Sequence, residues 1–308
     1  NSNLIICILK SGDFRLDSGI YFSNGEFSSL IDVDSNAINF FRLPEVSLYA
    51  TSYKGGASGY PLMFENFGIN EKKKIIKKKN NFLKNIKIKN ILNLKAKYFL
   101  PYASAFSENL NRDKFIKTKN KKIKFEDYSK PLNKRGIAVL DTNSFKQFNF
   151  EKQNLISKEI KSKNFYVIKN PKQYLKEFKD KNSKIDIKKI KNYFLKSKYN
   201  DELIVNISLT NDSFEKLYKK FSINFASKTP IFYENHLKKN DYKNEKKIRF
   251  LNLKIRKESF IYTIENKMPW EDILIGFQCR VHRNPNIFNS NFWYYFSNIY
   301  IDNVQRKS

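Results

Sequence analysis

Apolar positions along the first fifty residues come in short bursts rather than in helical stripes. Residues 4–9 form an apolar, β-rich run and residues 19–23 a second. Asn24-Gly25 is the residue pair favoured where a type I′ turn needs two positive φ values, so residues 26–33 are predicted to return as a third strand. Leu43-Pro44 interrupts the chain before a fourth strand over 46–53, which runs into Gly55-Gly56-Ala57-Ser58-Gly59-Tyr60-Pro61. The period then changes. Ile75, Ile76, Phe82, Leu83 and Ile86 recur at helical spacing behind Asn70, a good cap residue, and predict a long helix to about Leu94. Residues 98–100 read as a short buried strand ended by Pro101. Strand, helix, strand is the rhythm of a layered α/β fold.

From about Thr118 to Asn200 lysine-rich stretches alternate with short apolar pieces, the pattern of an insertion or connecting region. Regular signals return with a strand over 203–209. Asp212 with Glu215 stands at capping-box spacing and predicts a helix there. A strand over 248–255 and a short helix over 259–265 follow. Pro269-Trp270-Glu271-Asp272 starts another short helix that Gly276 stops. Residues 277–282 then form a strand with Phe277, Cys279 and Val281 on one face and Gln278, Arg280 and His282 on the other. Asn289 or Ser290 caps a last aromatic helix through Phe296. Trp270, Trp293 and their aromatic neighbours are expected in the core.

Composition narrows the chemistry. The apolar fraction of 41% and the 28 Phe among 308 residues are those of a chain that builds a core. The only cysteines are Cys7 and Cys279, and the only histidines His236 and His282, so the chain carries no CxxC knuckle, HxH or HExxH motif. The net charge of +29 invites a nucleic-acid reading. Its lysines are spread over the whole chain, however, rather than gathered in a stripe, so no specific nucleic-acid partner is expected. The longest apolar runs are too short for a membrane span, and a cytoplasmic protein is expected.

Three segments are candidates for function. The glycine-rich segment 55–61 lets the backbone turn sharply and approach a ligand, but lacks the GK[ST] ending of a phosphate loop. Asp32 and Asp34 sit at a strand end, where layered α/β folds place ligands, and are expected to point to different sides. Arg280 and Arg283 are placed to hold a phosphate, or a structural carboxylate such as Glu271 or Asp272.

YKGGASGYPLMF (53–64), YFLPYASAFSENLNRDKFIK (98–117) and PWEDILIGFQCRVHRNPNIFNSNFWYYF (269–296), with LIDVDSNAINFFRLP (30–44) in matching order, resemble the C-terminal two-thirds of the CMP-N-acetylneuraminate hydroxylases and their bacterial homologues. The resemblance implies a partial metallo-β-lactamase-like αββα sandwich with a C-terminal α+β extension. Residues 1–117 would be the C-terminal half of that domain, 118–200 an insertion and 201–308 the extension. It also implies that the chemistry begins upstream of residue 1, with a Rieske 2Fe-2S domain and an HxHxDH motif for a divalent metal, iron or zinc. The family hydroxylates the N-acetyl group of a CMP-linked sialic acid with electrons from a donor protein, so a nucleotide sugar and an electron donor are the implied partners. Asp34 matches the family's strand-end Asp by its distance from Leu43-Pro44 and is the implied metal ligand; Lys54, Gly55, Gly56, Ser58, Tyr102, Ser104 and Arg280 are the implied substrate contacts. The family can carry a His where this chain has Asn109-Leu110-Asn111. A metallo-β-lactamase-type phosphodiesterase or lactonase, or a non-catalytic remnant, are the alternatives.

Overall fold

The computed structural model describes residues 3–12, 17–35, 37–55, 59–103, 108, 110–142, 146–151, 154–159, 170–242 and 247–301. The chain divides into two compact units, one of Asn1–Gly56, Lys74–Ser107 and Lys121–Ile168, the other of Ala57–Lys73, Glu108–Asn120 and Lys169–Ser308. Both are mixed α/β. Among the described residues no helix is long and apolar enough to cross a membrane.

The first unit is built on strands β1 (Ile5–Lys10), β2 (Ser18–Ser23), β3 (Ser28–Ile31) and β4 (Leu48–Thr51), the long helix α1 (Ile69–Asn93) from Lys74 onward, and strand β5 (Tyr98–Pro101). The short helix α2 (Lys114–Lys119) belongs to the other unit; α3 (Glu126–Asn133), β6 (Ala138–Val139) and the hairpin β7 (Lys146–Glu151) and β8 (Asn154–Glu159) complete this one. Six strands lie in the order β1-β2-β3-β4-β5-β6. The β1-β2-β3 part is antiparallel and the β3-to-β6 part parallel. Parallel strands need a crossover, and α1 supplies it between β4 and β5. Leu30, Tyr49 and Phe99, one from each central strand, are fully buried with Ile91, Leu94, Tyr128 and Leu132. Two local expectations change. Of the pair Asn24-Gly25 only Gly25 has positive φ, and Ser23 pairs with Ser28, so the β2–β3 connection is a four-residue loop, not a type I′ turn. Asn24 closes it, its side-chain oxygen accepting from the Phe27 amide at 2.8 Å. Asn70 lies inside α1 rather than capping it; the Lys72 amide bonds back to the Gly68 carbonyl.

The second unit carries α4 (Pro171–Lys181), α5 (Ile187–Lys196), β9 (Leu203–Thr210), β10 (Leu217–Asn224), β11 (Ile231–Tyr233), β12 (Arg249–Arg256), α6 (Lys257–Glu265), α7 (Glu271–Leu274), β13 (Cys279–Asn284) and α8 (Ser290–Tyr294). Its sheet runs β11-β10-β9-β12-β13, with β9 and β12 parallel and the other pairs antiparallel. Central β9 is a near-continuous apolar run because both its faces are covered. Trp270 is fully buried, with Phe194, Phe260, Phe292 and Phe296 packed around it, and its indole N–H donates to the Tyr193 hydroxyl at 2.9 Å. The aromatics are core, as expected.

The helix expected at Asp212 does not form. Residues 211–216 are the turn between β9 and β10, held by the Asn211 side-chain oxygen, which accepts from the Glu215 and Lys216 amides at 3.1 Å each. The cross-strand pairing of Leu217 with Thr210 outweighs the local capping signal. Asn289 stands at the start of α8 without capping it through its side chain; its carboxamide oxygen accepts from Arg249 instead, at 3.0 Å.

Candidate functional site

In the first unit three adjacent parallel strands, β3, β4 and β5, end together. Ile31 pairs with Ala50, and Thr51 with Pro101. Asp32-Val33-Asp34, Ser52-Tyr53-Lys54-Gly55 and Tyr102-Ala103 therefore leave the sheet side by side, at the edge where open α/β sheets place their ligands. Hydrogen bonds fix them there: the Asp32 amide to the Ala50 carbonyl at 3.2 Å, the Tyr102 amide to the Thr51 carbonyl at 2.9 Å, and the Ser52 hydroxyl to the Val33 carbonyl at 2.9 Å. From behind, the Tyr128 hydroxyl donates to the Tyr53 carbonyl at 2.6 Å. Ala103 has φ +62, a left-handed conformation that turns the chain sharply after β5.

The two carboxylates at this edge have different surroundings. Asp32 is 1% exposed and accepts a hydrogen bond from the Tyr49 hydroxyl at 2.7 Å. Asp34 is exposed. In an extended strand residues two apart share a face; here they part because β3 ends at Ile31 and Val33-Asp34 form a turn. Lys87 of α1 is 5% exposed and donates to the Thr51 hydroxyl at 2.7 Å. Burial raises the Asp32 pKa, against the opposing pull of Lys87. Burial lowers that of Lys87, opposed by the charges of Asp32 and Asp34. The Tyr49 phenol is pushed well up, by burial first and then by the Asp32 charge.

Asp32 and Lys87 attract each other's charge, but for each of them desolvation is the larger effect. Replacing such pairs with neutral groups of similar shape is commonly neutral or stabilising. Asp32→Asn/Lys87→Met is accordingly expected to match the parent in urea denaturation or exceed it by about 1–3 kcal/mol; a clear loss would show that the pair is structural. Buried charged groups with shifted pKa values at a strand-end edge are the kind of arrangement found at functional sites.

Around this edge Lys54 sets its ammonium over the Tyr53 ring at 4.8 Å, and Tyr102 is exposed. A side chain at Gly55 would meet only ordinary contacts with Lys79 and Leu83, from 3.6 Å outward. Gly59, in the second unit, is the glycine with a steric reason: a Cβ there would overlap the Met63 side chain at 1.6 Å. Gly56, Ser58 and Ser104 lie outside the described residues.

Arg280 belongs to the second unit. Its guanidinium carbon lies 4.2 Å from the Phe214 ring centre and 5.5 Å from that of Phe115, and one of its nitrogens donates to the Cys279 carbonyl at 3.2 Å. Burial, then the neighbouring Arg256, lowers its pKa. Arg283 lies over Phe64 at 4.7 Å and donates to Asn286 at 2.6 Å. These aromatic and amide contacts take the place expected for Glu271 or Asp272. His282 faces Asn252 at 3.2 Å across the β12–β13 pair.

Among the described residues no group of three or more His, Cys, Asp or Glu is placed to hold a metal ion. The described residues therefore do not make up a complete metal centre. Asp34 offers one carboxylate; Asp32 is engaged by Tyr49 and faces Lys87.

Two residues of this edge were not singled out from the sequence. Lys87 stands among many lysines, yet it falls on the apolar stripe Ile76, Leu83, Lys87, Ile91 of α1, where a charged residue is anomalous. Tyr49 reads as an ordinary strand aromatic, and nothing in the local pattern marks its hydroxyl.

No family model matches the chain, and no solved structure matches it. Twelve curated proteins do. The chain is 24% identical over 320 residues to the cytidine monophosphate-N-acetylneuraminic acid hydroxylase of Macaca mulatta, covering 96% of this chain and 52% of that protein. It is 25% identical over 290 residues to the Mus musculus hydroxylase, covering 86% and 47%. A Homo sapiens relative, described as an inactive form of the same hydroxylase, is 24% identical over 96% of this chain and 61% of its own length. The chain is thus similar, at a distant level, to these hydroxylases over nearly its whole length, and it spans about half the length of the first two.

Proposed function

We propose that this chain is part of a Rieske-coupled oxygenase that hydroxylates a CMP-linked sialic acid or a similar nucleotide sugar. The observation that carries this reading is the extent of the similarity, 96% of the chain, to proteins named for that activity. The strand-end edge of the first unit supports it, because it gathers an exposed carboxylate, two buried charged groups and an exposed tyrosine where a substrate would lie. In this reading residues 1–117 supply part of a metallo-β-lactamase-like domain. Asp34 gives one oxygen ligand to an iron or zinc ion whose remaining ligands come from other parts of the protein. A Rieske centre, fed by a donor protein, supplies the electrons when bound. Lys54 and Tyr102 then contact the substrate at the rim, while Lys87 and Tyr49 hold the edge from beneath.

Hydroxylation inserts one atom of O2 into a C–H bond of the N-acetyl methyl group and releases the other as water, with two electrons and two protons supplied. Metal-dependent hydrolysis would instead cleave the substrate and need no oxygen. The two separate by product mass. The complete protein, given CMP-N-acetylneuraminate, an electron donor and air, is expected to yield intact nucleotide sugar heavier by one oxygen atom. Release of CMP without oxygen uptake would favour the hydrolase, and an unchanged substrate in metal-loaded protein would favour the remnant suggested by the inactive human relative.

A further inference from the structure

In the second unit Arg280 of β13 stands directly opposite Lys254 of β12, two like charges on one face of the sheet. Lys254 turns to Glu65, which accepts from its ammonium at 2.9 Å. Arg256 is matched in the same way, donating to the Asp113 carboxylate at 2.9 Å. Glu65 and Asp113 are the carboxylates whose charge reaches Arg280, and both are already held by another cation.

The half-buried Arg280 is therefore left with an unfilled fork. Its guanidinium rests on the rings of Phe214 and Phe115. Among the described residues it makes one hydrogen bond, from Nη1 to the Cys279 carbonyl at 3.2 Å. Nε and Nη2 make none, and neither is sealed from solvent. Lys72 is the second cation left over. It is half-buried, and its ammonium donates to the Leu62 carbonyl at 3.1 Å. Burial lowers its pKa, and the charge of Arg280 lowers it further, with Glu65 opposing. Two partly desolvated cations that feel each other's charge, neither with a carboxylate of its own, are stabilised by an anion that meets both.

We infer that Arg280 and Lys72 form a site for a doubly charged oxyanion of the sulfate or phosphate type, with the Arg280 fork taking two oxygens and the Lys72 ammonium a third. The charge count selects the ligand. Two unmatched cations balance a dianion, whereas a monoanion leaves one of them unmatched. The planar guanidinium is steadied by two rings, so its free Nε and Nη2 edge is preorganised for two oxygens of one anion. The surplus of lysine in a chain of net charge +29 carries no such inference by itself; the unfilled Arg280 fork does. The site is independent of the hydroxylase reading, and its ligand is not the singly charged phosphodiester of a nucleotide sugar.

The test is calorimetric titration of the intact chain with sulfate, a dianion throughout the neutral pH range, and with dimethyl phosphate, a monoanion, at one fixed ionic strength. Sulfate is expected to bind at least about tenfold more tightly than dimethyl phosphate. Arg280→Lys keeps the charge and loses the fork, while Lys72→Gln keeps the fork and loses the second charge. Each is expected to weaken sulfate by at least about tenfold. Lys72→Gln should leave the urea midpoint unchanged, so its weaker binding is not a loss of fold. Lys176→Gln removes an exposed lysine of α4 as the control for net charge, and sulfate affinity should stay as it was. Absence of measurable sulfate binding overturns the site. So does binding that Arg280→Lys and Lys72→Gln weaken no more than Lys176→Gln, the behaviour of an adventitious ion only. Equal affinity for dimethyl phosphate overturns the choice of a dianion.

Discussion

Arg256→Met is expected to lower the stability of the second unit by about 3–5 kcal/mol, the range for breaking a buried ion pair by removing one partner. Arg256 is 1% exposed. Its guanidinium donates to the Asp113 carboxylate at 2.9 Å, the Arg112 carbonyl at 3.0 Å, the Asp212 carbonyl at 3.2 Å and the Gln278 side-chain oxygen at 3.3 Å. It also lies over the Phe214 ring at 5.1 Å. Burial lowers its pKa, and the Asp113 charge opposes that shift. One planar fork thus holds three separate stretches of chain, around residues 112, 212 and 278. Methionine fills the volume but leaves a carboxylate and three other oxygens without this donor.

Lysine should not rescue, because an ammonium cannot reproduce the planar fork. Arg256→Met/Asp113→Asn should recover part of the loss by removing the orphaned charge. Both tryptophans, Trp270 and Trp293, lie in this unit, so their fluorescence in urea follows its unfolding. A loss under about 1 kcal/mol would show that water or other donors replace the guanidinium readily.

Much of the fold is legible in the sequence, because most strands are written as apolar runs, buried in β4, β9 and β12 but exposed in β1. The runs at 4–9, 46–53, 203–209 and 248–255 became β1, β4, β9 and β12 within a few residues, and the stripe from Ile76 onward became α1. The failures have a common cause. Asn24-Gly25, Asp212 with Glu215, and Asn289 are short-range turn and cap signals worth about 1 kcal/mol each, and strand pairing around the first two and the Arg249 contact at the third outweigh them. The candidate site was legible only in part. Asp32, Asp34, Lys54 and Tyr102 follow apolar runs, so their place at strand ends can be read from the pattern. Lys87, Arg112 and Arg256 reach their partners across dozens of residues, and among so many lysines and arginines only a break in an apolar stripe would have marked one of them.

Under the proposed function, Asp34→Asn is expected to lower the metal content of the complete protein while leaving its fold intact. Asp34 is exposed at a turn after β3, so an amide in its place keeps the side chain's shape while removing a charge that also acts on Lys87. It does remove the negative charge and the oxygen donor that a divalent ion needs, and loss of one ligand from a preorganised set lowers affinity steeply. By itself this chain presents no cluster of three candidate ligands among its described residues, so residues 1–308 alone should bind the ion weakly. The measurement is metal content per chain by elemental analysis, made on the complete protein of the proposed function, its Asp34→Asn variant and residues 1–308 alone. The account predicts near-stoichiometric iron or zinc in the first and about a tenth or less in the other two, with unchanged urea midpoints for the variant. Full occupancy in Asp34→Asn, or tight stoichiometric metal in residues 1–308 alone, would contradict it.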